Sequence, residues 1–310
     1  MIAFGPIPSR RLGHSLGVNH IPPKTCSYSC VYCQVGRTDK MRIERRSFYE
    51  PDEVVEAVEA KVKALRAAGK PIDYITFVPD GEPTLDINLG WEIERLKPLG
   101  IDIAVITNSS LVWREDVRDD LARADWVSLN VDAADETVWQ RVDRPHGRLA
   151  LDAIREGMVD FAQAYTGTLT TETMLVQGVN DDAPSVRGVA EVLARLAPDR
   201  AYLAIPTRPP AERWVRAPDE AAINRAYQIL SEAVGQVEYL IGYEGNAFAT
   251  TGDAAADLLS ITAVHPMRRA QVNALLARAG AAWSLVQGLI ERGDLVETVH
   301  EGERFYMRAL

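Results

Sequence analysis

Cys26, Cys30 and Cys33 are the only cysteines in a chain of 310 residues, and they fall within eight positions as Cys26-Ser-Tyr-Ser-Cys30-Val-Tyr-Cys33. An odd, clustered set in a reducing compartment suggests a metal or cluster site, not a disulfide framework. Three thiolates on a tight C-x3-C-x2-C loop can hold three irons of a [4Fe–4S] cubane and leave the fourth iron open to another ligand. Zinc is the alternative, with His14 or His20 completing a Cys3His set. Structural zinc sites more often use paired C-x2-C knuckles, so the cluster is the better reading. If all three cysteines hold one cluster, no thiol remains for a second cluster, a methyl-carrying cysteine or a thiyl radical.

A reactive loop needs a frame. From residue 50 onward, segments of helical period alternate with short apolar runs. Pro51 suits a first helical position, and Val54, Val55, Val58, Val62 and Leu65 fall on one face before Gly69 stops the helix. Seven strands are expected, at Ser15–Ile21, Ile72–Val78, Ile103–Thr107, Trp126–Val131, Thr168–Val176, Ala201–Ile205 and Val237–Ile241. Helices are expected near Trp91–Leu96, Arg114–Arg123, 149–164, Ser185–Leu196 and 219–234. This order predicts an α/β fold with a parallel sheet, open or barrel-like, and such folds collect their sites at the C-terminal strand ends. The unusual polar clusters fall there: Pro79-Asp80-Gly81-Glu82-Pro83, Asn108-Ser109-Ser110, and Asn130 with Asp132.

Charge is uneven. The chain carries −10 overall, yet residues 1–50 hold eight Lys or Arg against three Asp or Glu. Arg37, Lys40, Arg42, Arg45 and Arg46 either recognise something anionic or solvate a loop. No apolar run approaches the length of a membrane span, and the N-terminus lacks a signal-like stretch, so a cytoplasmic protein is expected.

Taken together, these motifs resemble the radical S-adenosylmethionine (SAM) superfamily. Tyr32 precedes the last cysteine as in its signature, and Gly81-Glu82-Pro83 matches the core of its Gly-Gly-Glu-Pro motif, with Asp80 in place of the first glycine. The resemblance implies a partial (β/α)6 TIM-like barrel over residues 1–250, carrying one [4Fe–4S] cluster and SAM. It places Tyr32, Gly81, Glu82, Asn108, Ser109, Asn130 and Asp132 around SAM, with Glu82 near the methionine amino group. Gly5-Pro6-Ile7-Pro8-Ser9-Arg10-Arg11-Leu12-Gly13, Lys24-Thr25-Cys26-Ser27-Tyr28 and Cys33-Gln34-Val35-Gly36-Arg37-Thr38 further resemble a group related to the wyosine-base synthases of tRNA. Those synthases carry additional cysteines for a second cluster, which this chain lacks.

The implied chemistry is hydrogen abstraction from a polar substrate by a 5′-deoxyadenosyl radical, with tRNA or another RNA as a candidate substrate. A small reductant protein such as flavodoxin or ferredoxin would supply the electron. Candidate substrate residues at the remaining strand ends are Arg144, His146, Arg208 and Glu244.

Residues 255–310 read as a small second domain. Two helices, Gln271–Ala279 and Trp283–Glu291, precede a hairpin of Leu295–His300 and Arg304–Met307, a winged-helix pattern. It holds six Arg against six Asp or Glu, and Ser284, Gln287 and Glu291 are a poor base-reading set, so duplex DNA is not the expected partner. Two other classes stay open: a radical activase of a partner protein, and a winged-helix regulator that senses redox state through its cluster.

Overall fold

The computed structural model describes residues 2–240, 253–300 and 302–309. Glu244, one of the candidate substrate residues, lies outside the described residues.

An antiparallel hairpin, β1 (Ala3–Ser9) and β2 (Gly13–Val18), begins the chain. Two short parallel strands, β3 (Thr25–Cys26) and β4 (Lys40–Met41), close the base of the cysteine loop. Alternation follows: α1 (Pro51–Ala67), β5 (Tyr74–Phe77), α2 (Leu89–Leu96), β6 (Asp102–Thr107), α3 (Glu115–Leu121), β7 (Trp126–Asn130), α4 (Glu136–Val142), α5 (Leu151–Ala164), β8 (Thr168–Met174), α6 (Ala183–Leu196), β9 (Arg200–Ala204), α7 (Glu220–Ala233) and β10 (Val237–Leu240). The main sheet is ordered β1-β2-β5-β6-β7-β8-β9-β10 and is parallel from β2 onward. It is a curled half-barrel of the partial TIM type, so all seven expected strands are present.

The reasons are local and additive. Pro51 starts α1, and Val54, Val58, Val62 and Leu65 pack against Leu16, Ile75 and Phe77 of the sheet, each at most 1% exposed. Each such side chain contributes about 1.5–3 kcal/mol. Asp135, Asp182 and Asp219 cap α4, α6 and α7 by accepting backbone N–H bonds. β1 and α4 are absent from the sequence reading. β1 carries two prolines in seven residues, which mask its strand character, and α4 is only two turns long.

Beyond Asp253 lie α8 (Ala254–Val264), β11 (Met267–Arg268), α9 (Arg269–Ala279), α10 (Ser284–Glu291), β12 (Leu295–His300) and β13 (Glu303–Arg308). Their sheet runs β11-β13-β12, around a cluster that includes Leu258, Met267, Leu275, Val286 and Tyr306. Two helices and a hairpin were expected; the structure adds α8 and a third short strand. Ile7 of β1 packs against this cluster, and Lys61 Nζ lies 3.8 Å from Asp257 Oδ1.

Candidate cluster and cofactor site

The cysteine loop is anchored at both ends and along its middle. Thr25 and Cys26 pair with Lys40 and Met41, and the Ser29 and Val31 N–H groups donate to the Asp143 and Val142 carbonyls at the end of α4. Tyr28 is buried edge-on against Trp139, whose Nε1 donates to the tyrosine oxygen at 3.2 Å. The helix missing from the sequence reading therefore supports the cysteine loop. Among the described residues, three of the four non-glycine residues with left-handed backbone border this region: Lys24, Ser109 and Arg144. Such strain concentrates at functional sites.

Gly81 is required by packing. A Cβ there would lie 1.9 Å from the Thr25 carbonyl oxygen, because the Pro79–Pro83 loop runs directly against β3.

Cys26, Cys30 and Cys33 are half-buried free thiols lining a cavity of about 310 Å³, the lower end of ligand-pocket sizes. Gly81, Asn130, Tyr32 and Arg208 line it too, with Arg11, Lys24, Gln34, Asp80 and Glu172. Burial pushes the Cys26 thiol up to about 12, with the Glu82 charge adding to it, and raises Cys30 and Cys33 as well. Neutral thiols without a cation suit ligands whose protons an incoming iron displaces. Among the described residues, no three His, Cys, Asp or Glu side chains are gathered to hold a single metal ion. The histidines of the zinc alternative are engaged elsewhere: His20 is buried against Phe77 with Nε2 3.2 Å from the Pro83 carbonyl, and His14 Nδ1 lies 2.9 Å from Asp73.

The residues expected around SAM divide into two groups. Gly81, Tyr32 and Asn130 line the cavity, and the buried Asn130 Oδ1 has no hydrogen-bond partner among the described residues. Glu82, Asn108, Ser109 and Asp132 brace the frame. Glu82, 1% exposed, accepts from Thr84 N, Thr84 Oγ1, Thr107 Oγ1 and Asn108 N, at 2.6–3.0 Å. It ties the end of β5 to the end of β6. Asn108 Nδ2 donates to Cys26 Sγ at 3.4 Å and to Ser27 Oγ at 3.0 Å. The Ser109 N–H donates to Thr107 Oγ1 at 3.0 Å, and its own buried hydroxyl has no partner among the described residues. Tyr32 donates its hydroxyl to Asp132, which also accepts the Met174 N–H at 2.7 Å. Burial raises Asp132 to about 6, and it shares a smaller cavity with Asp143, whose carboxyl accepts from the Cys30 thiol.

Of the substrate candidates, Arg208 reaches the cluster cavity, with Nη1 2.7 Å from Gln34 Oε1 and Nη2 3.3 Å from His265 Nε2. Arg144 instead pairs with Glu212, together with Arg37, and His146 accepts the Arg148 N–H; neither lines this cavity. Arg45 is not part of a free basic patch. Its side chain is 4% exposed and bonds Thr84 O, Asp86 O, Asp116 and Asp120. The Arg11–Glu172 ion pair at the cavity was missed, because its members lie 161 positions apart.

The thiol wall, the orphaned Asn130 oxygen and the enclosed volume fit a cluster with a bound small molecule. A radical SAM superfamily family model matches residues 21–186. The chain belongs to the radical SAM superfamily and is an enzyme that uses a [4Fe–4S] cluster and SAM. More narrowly, it is 46% identical over 309 residues to a UPF0026 protein of Methanocaldococcus jannaschii, covering 99% of this chain and 96% of the relative. Its fold is similar to that of a radical SAM methyltransferase from Sphaerobacter thermophilus (TM-score 0.54, 20% identity, 74% of this chain and 67% of that one). It is also similar to TYW1 with a lysine-pyruvate adduct bound (TM-score 0.53, 18% identity, 71% and 74%). No helix among the described residues is long and apolar enough to cross a membrane.

Proposed function

We propose that this enzyme modifies a polar substrate, with RNA as the substrate class, while Cys26, Cys30 and Cys33 hold the cluster. When bound and reduced, the cluster with SAM supplies the hydrogen-abstracting 5′-deoxyadenosyl radical. The chain's part is to hold the substrate and exclude water. The observation that carries the reading is the composition of one cavity: the three thiols share it with Arg11, Glu172, Gln34 and Arg208. Charged and amide groups beside the thiols suit a hydrogen-bonding substrate better than an apolar one. Asn130, with its orphaned acceptor, is the SAM contact most supported by the geometry. A small reductant protein would deliver the electron.

The unit after Asp253 has the order of a winged helix: helix, short strand, two helices, two-stranded ribbon. Its His265 meets Arg208 of the cluster cavity, which favours substrate docking over an independent role. Ser284, Gln287 and Glu291 are exposed on α10 and carry no cation, which disfavours a duplex-DNA regulator.

The test is anaerobic reconstitution followed by product analysis. The protein should take up about four irons per chain, Cys30→Ala should lose them, and the reduced protein should release 5′-deoxyadenosine from SAM. Small RNA from cells lacking the chain should accelerate that release and gain a mass change. Acceleration by a protein fraction and not by RNA would replace this reading with the activase.

A further inference from the structure

A second cavity, of about 440 Å³, lies between the cysteine loop, the β1–β2 hairpin and the C-terminal unit. Lys24 and Asp80 line both this cavity and the cluster cavity, so the two spaces meet at these residues. Its cations come from two separate parts of the chain: Lys24 and Lys40 from the cysteine loop and β4, Arg308 from the end of β13. Asp39 offsets one of them weakly, 4.0 Å from Lys24 Nζ.

Two features show that the space is built. Lys24 has left-handed backbone (φ 57°), held by its N–H donating to the Asp80 carbonyl at 2.8 Å and by its carbonyl accepting from Asp39 and Lys40. A non-glycine residue held there is strained, and the conformation fixes where the ammonium stem leaves the loop. Asp80 is 2% exposed; one carboxylate oxygen accepts from Asn19 at 3.1 Å, and Oδ1 has no partner among the described residues. A buried acceptor left without a donor is unfavourable.

A ligand with an anionic end and a hydroxyl would answer both. We infer that this cavity is a nucleotide site, in which Lys24, Lys40 and Arg308 take a phosphate and Asp80 accepts a sugar hydroxyl. Tyr49 and Phe4 supply ring surface in the same walls. The nucleotide is either free or part of an RNA strand; only the second source rests on the function proposed above.

Calorimetry on the full chain without SAM separates the cases, using adenosine monophosphate, adenosine, inorganic phosphate and a short single-stranded RNA. The monophosphate should bind about tenfold or more tightly than adenosine, and its affinity should fall with salt. Lys40→Ala and Arg308→Ala should each weaken it several-fold, with reconstituted iron content unchanged as the folding control. Asp80→Asn should weaken the monophosphate and leave inorganic phosphate as before. Tighter binding of the oligonucleotide identifies RNA as the source, and equal or weaker binding identifies the free nucleotide. Equal affinities for adenosine and its monophosphate, for the monophosphate and inorganic phosphate, or for the Lys40/Arg308 double variant and the parent would overturn the inference. RNA that fails to stimulate SAM cleavage while the monophosphate still binds would sink only the RNA substrate.

Discussion

Asn108 and Cys26 lie 82 positions apart in sequence, yet the Asn108 side-chain amide donates to the Cys26 sulfur at 3.4 Å. Hydrogen bonds to cysteine sulfur tune the reduction potential of an iron–sulfur cluster, because they stabilise the added negative charge of the reduced state. Asn108→Ala should therefore lower the midpoint potential of the reconstituted cluster and leave the iron count intact. A redox titration followed by electron paramagnetic resonance checks this; an unchanged potential would show that the contact does not reach the cluster.

Glu82 collects four donors from two strand ends, so its first role is architectural. Removing the carboxylate would leave several buried donors unpaired, at about 1–3 kcal/mol each. Glu82→Ala should lower the melting temperature of the iron-free chain markedly, and Glu82→Gln much less. If Glu82→Ala melts like the parent and loses only SAM affinity, the brace assignment is wrong.

Glu92 of α2 is fully buried, and neither of its oxygens has a hydrogen-bond partner among the described residues. Burial pushes its carboxyl up from 4.5 to about 9, with Asp86 adding to the rise. Its folded pKa is above the unfolded one, so the folded state binds the extra proton, and stability falls as pH rises from about 4.5 to about 9. Glu92→Gln should flatten that part of the stability curve, with a gain at pH 8.5 on the order of a few kcal/mol and little at pH 5. Urea unfolding at the two pH values decides; an equal effect at both would show that Glu92 is not held neutral.

Truncation after Asp253 should keep the cysteine loop but not the parent's stability. Ile7 of β1 would lose its apolar cover, Lys61 its partner Asp257, and Arg208 its contact with His265. The expected outcome is a chain that still binds iron, melts several degrees lower and acts poorly on its substrate. Full activity on substrate would remove the docking role from this unit.

The frame was readable from sequence where physics is local. Pro51 and the valine stripe of α1 mark a helix, and the apolar runs ending in Asp80, Asn108 and Asn130 mark buried strands with polar ends. What could not be read depends on distant partners. Arg45 looks like a surface cation until Asp116 and Asp120 arrive from α3, and nothing in the sequence around Arg144 announces its pairing with Glu212. Asp143 carries no motif, yet it stands behind Cys30. β1 was hidden by its prolines, and α4 by its length.

Gly81 has a consequence for reading mutational libraries. With the Thr25 carbonyl 1.9 Å from where any β-carbon would sit, position 81 has an alphabet of one letter before any ligand is considered. A selection that reports only on whether the chain reaches its native state should already reject every replacement there, while accepting changes at Asn130. Comparing such a screen with one for turnover would divide the motif positions into those held by steric necessity and those held by chemistry.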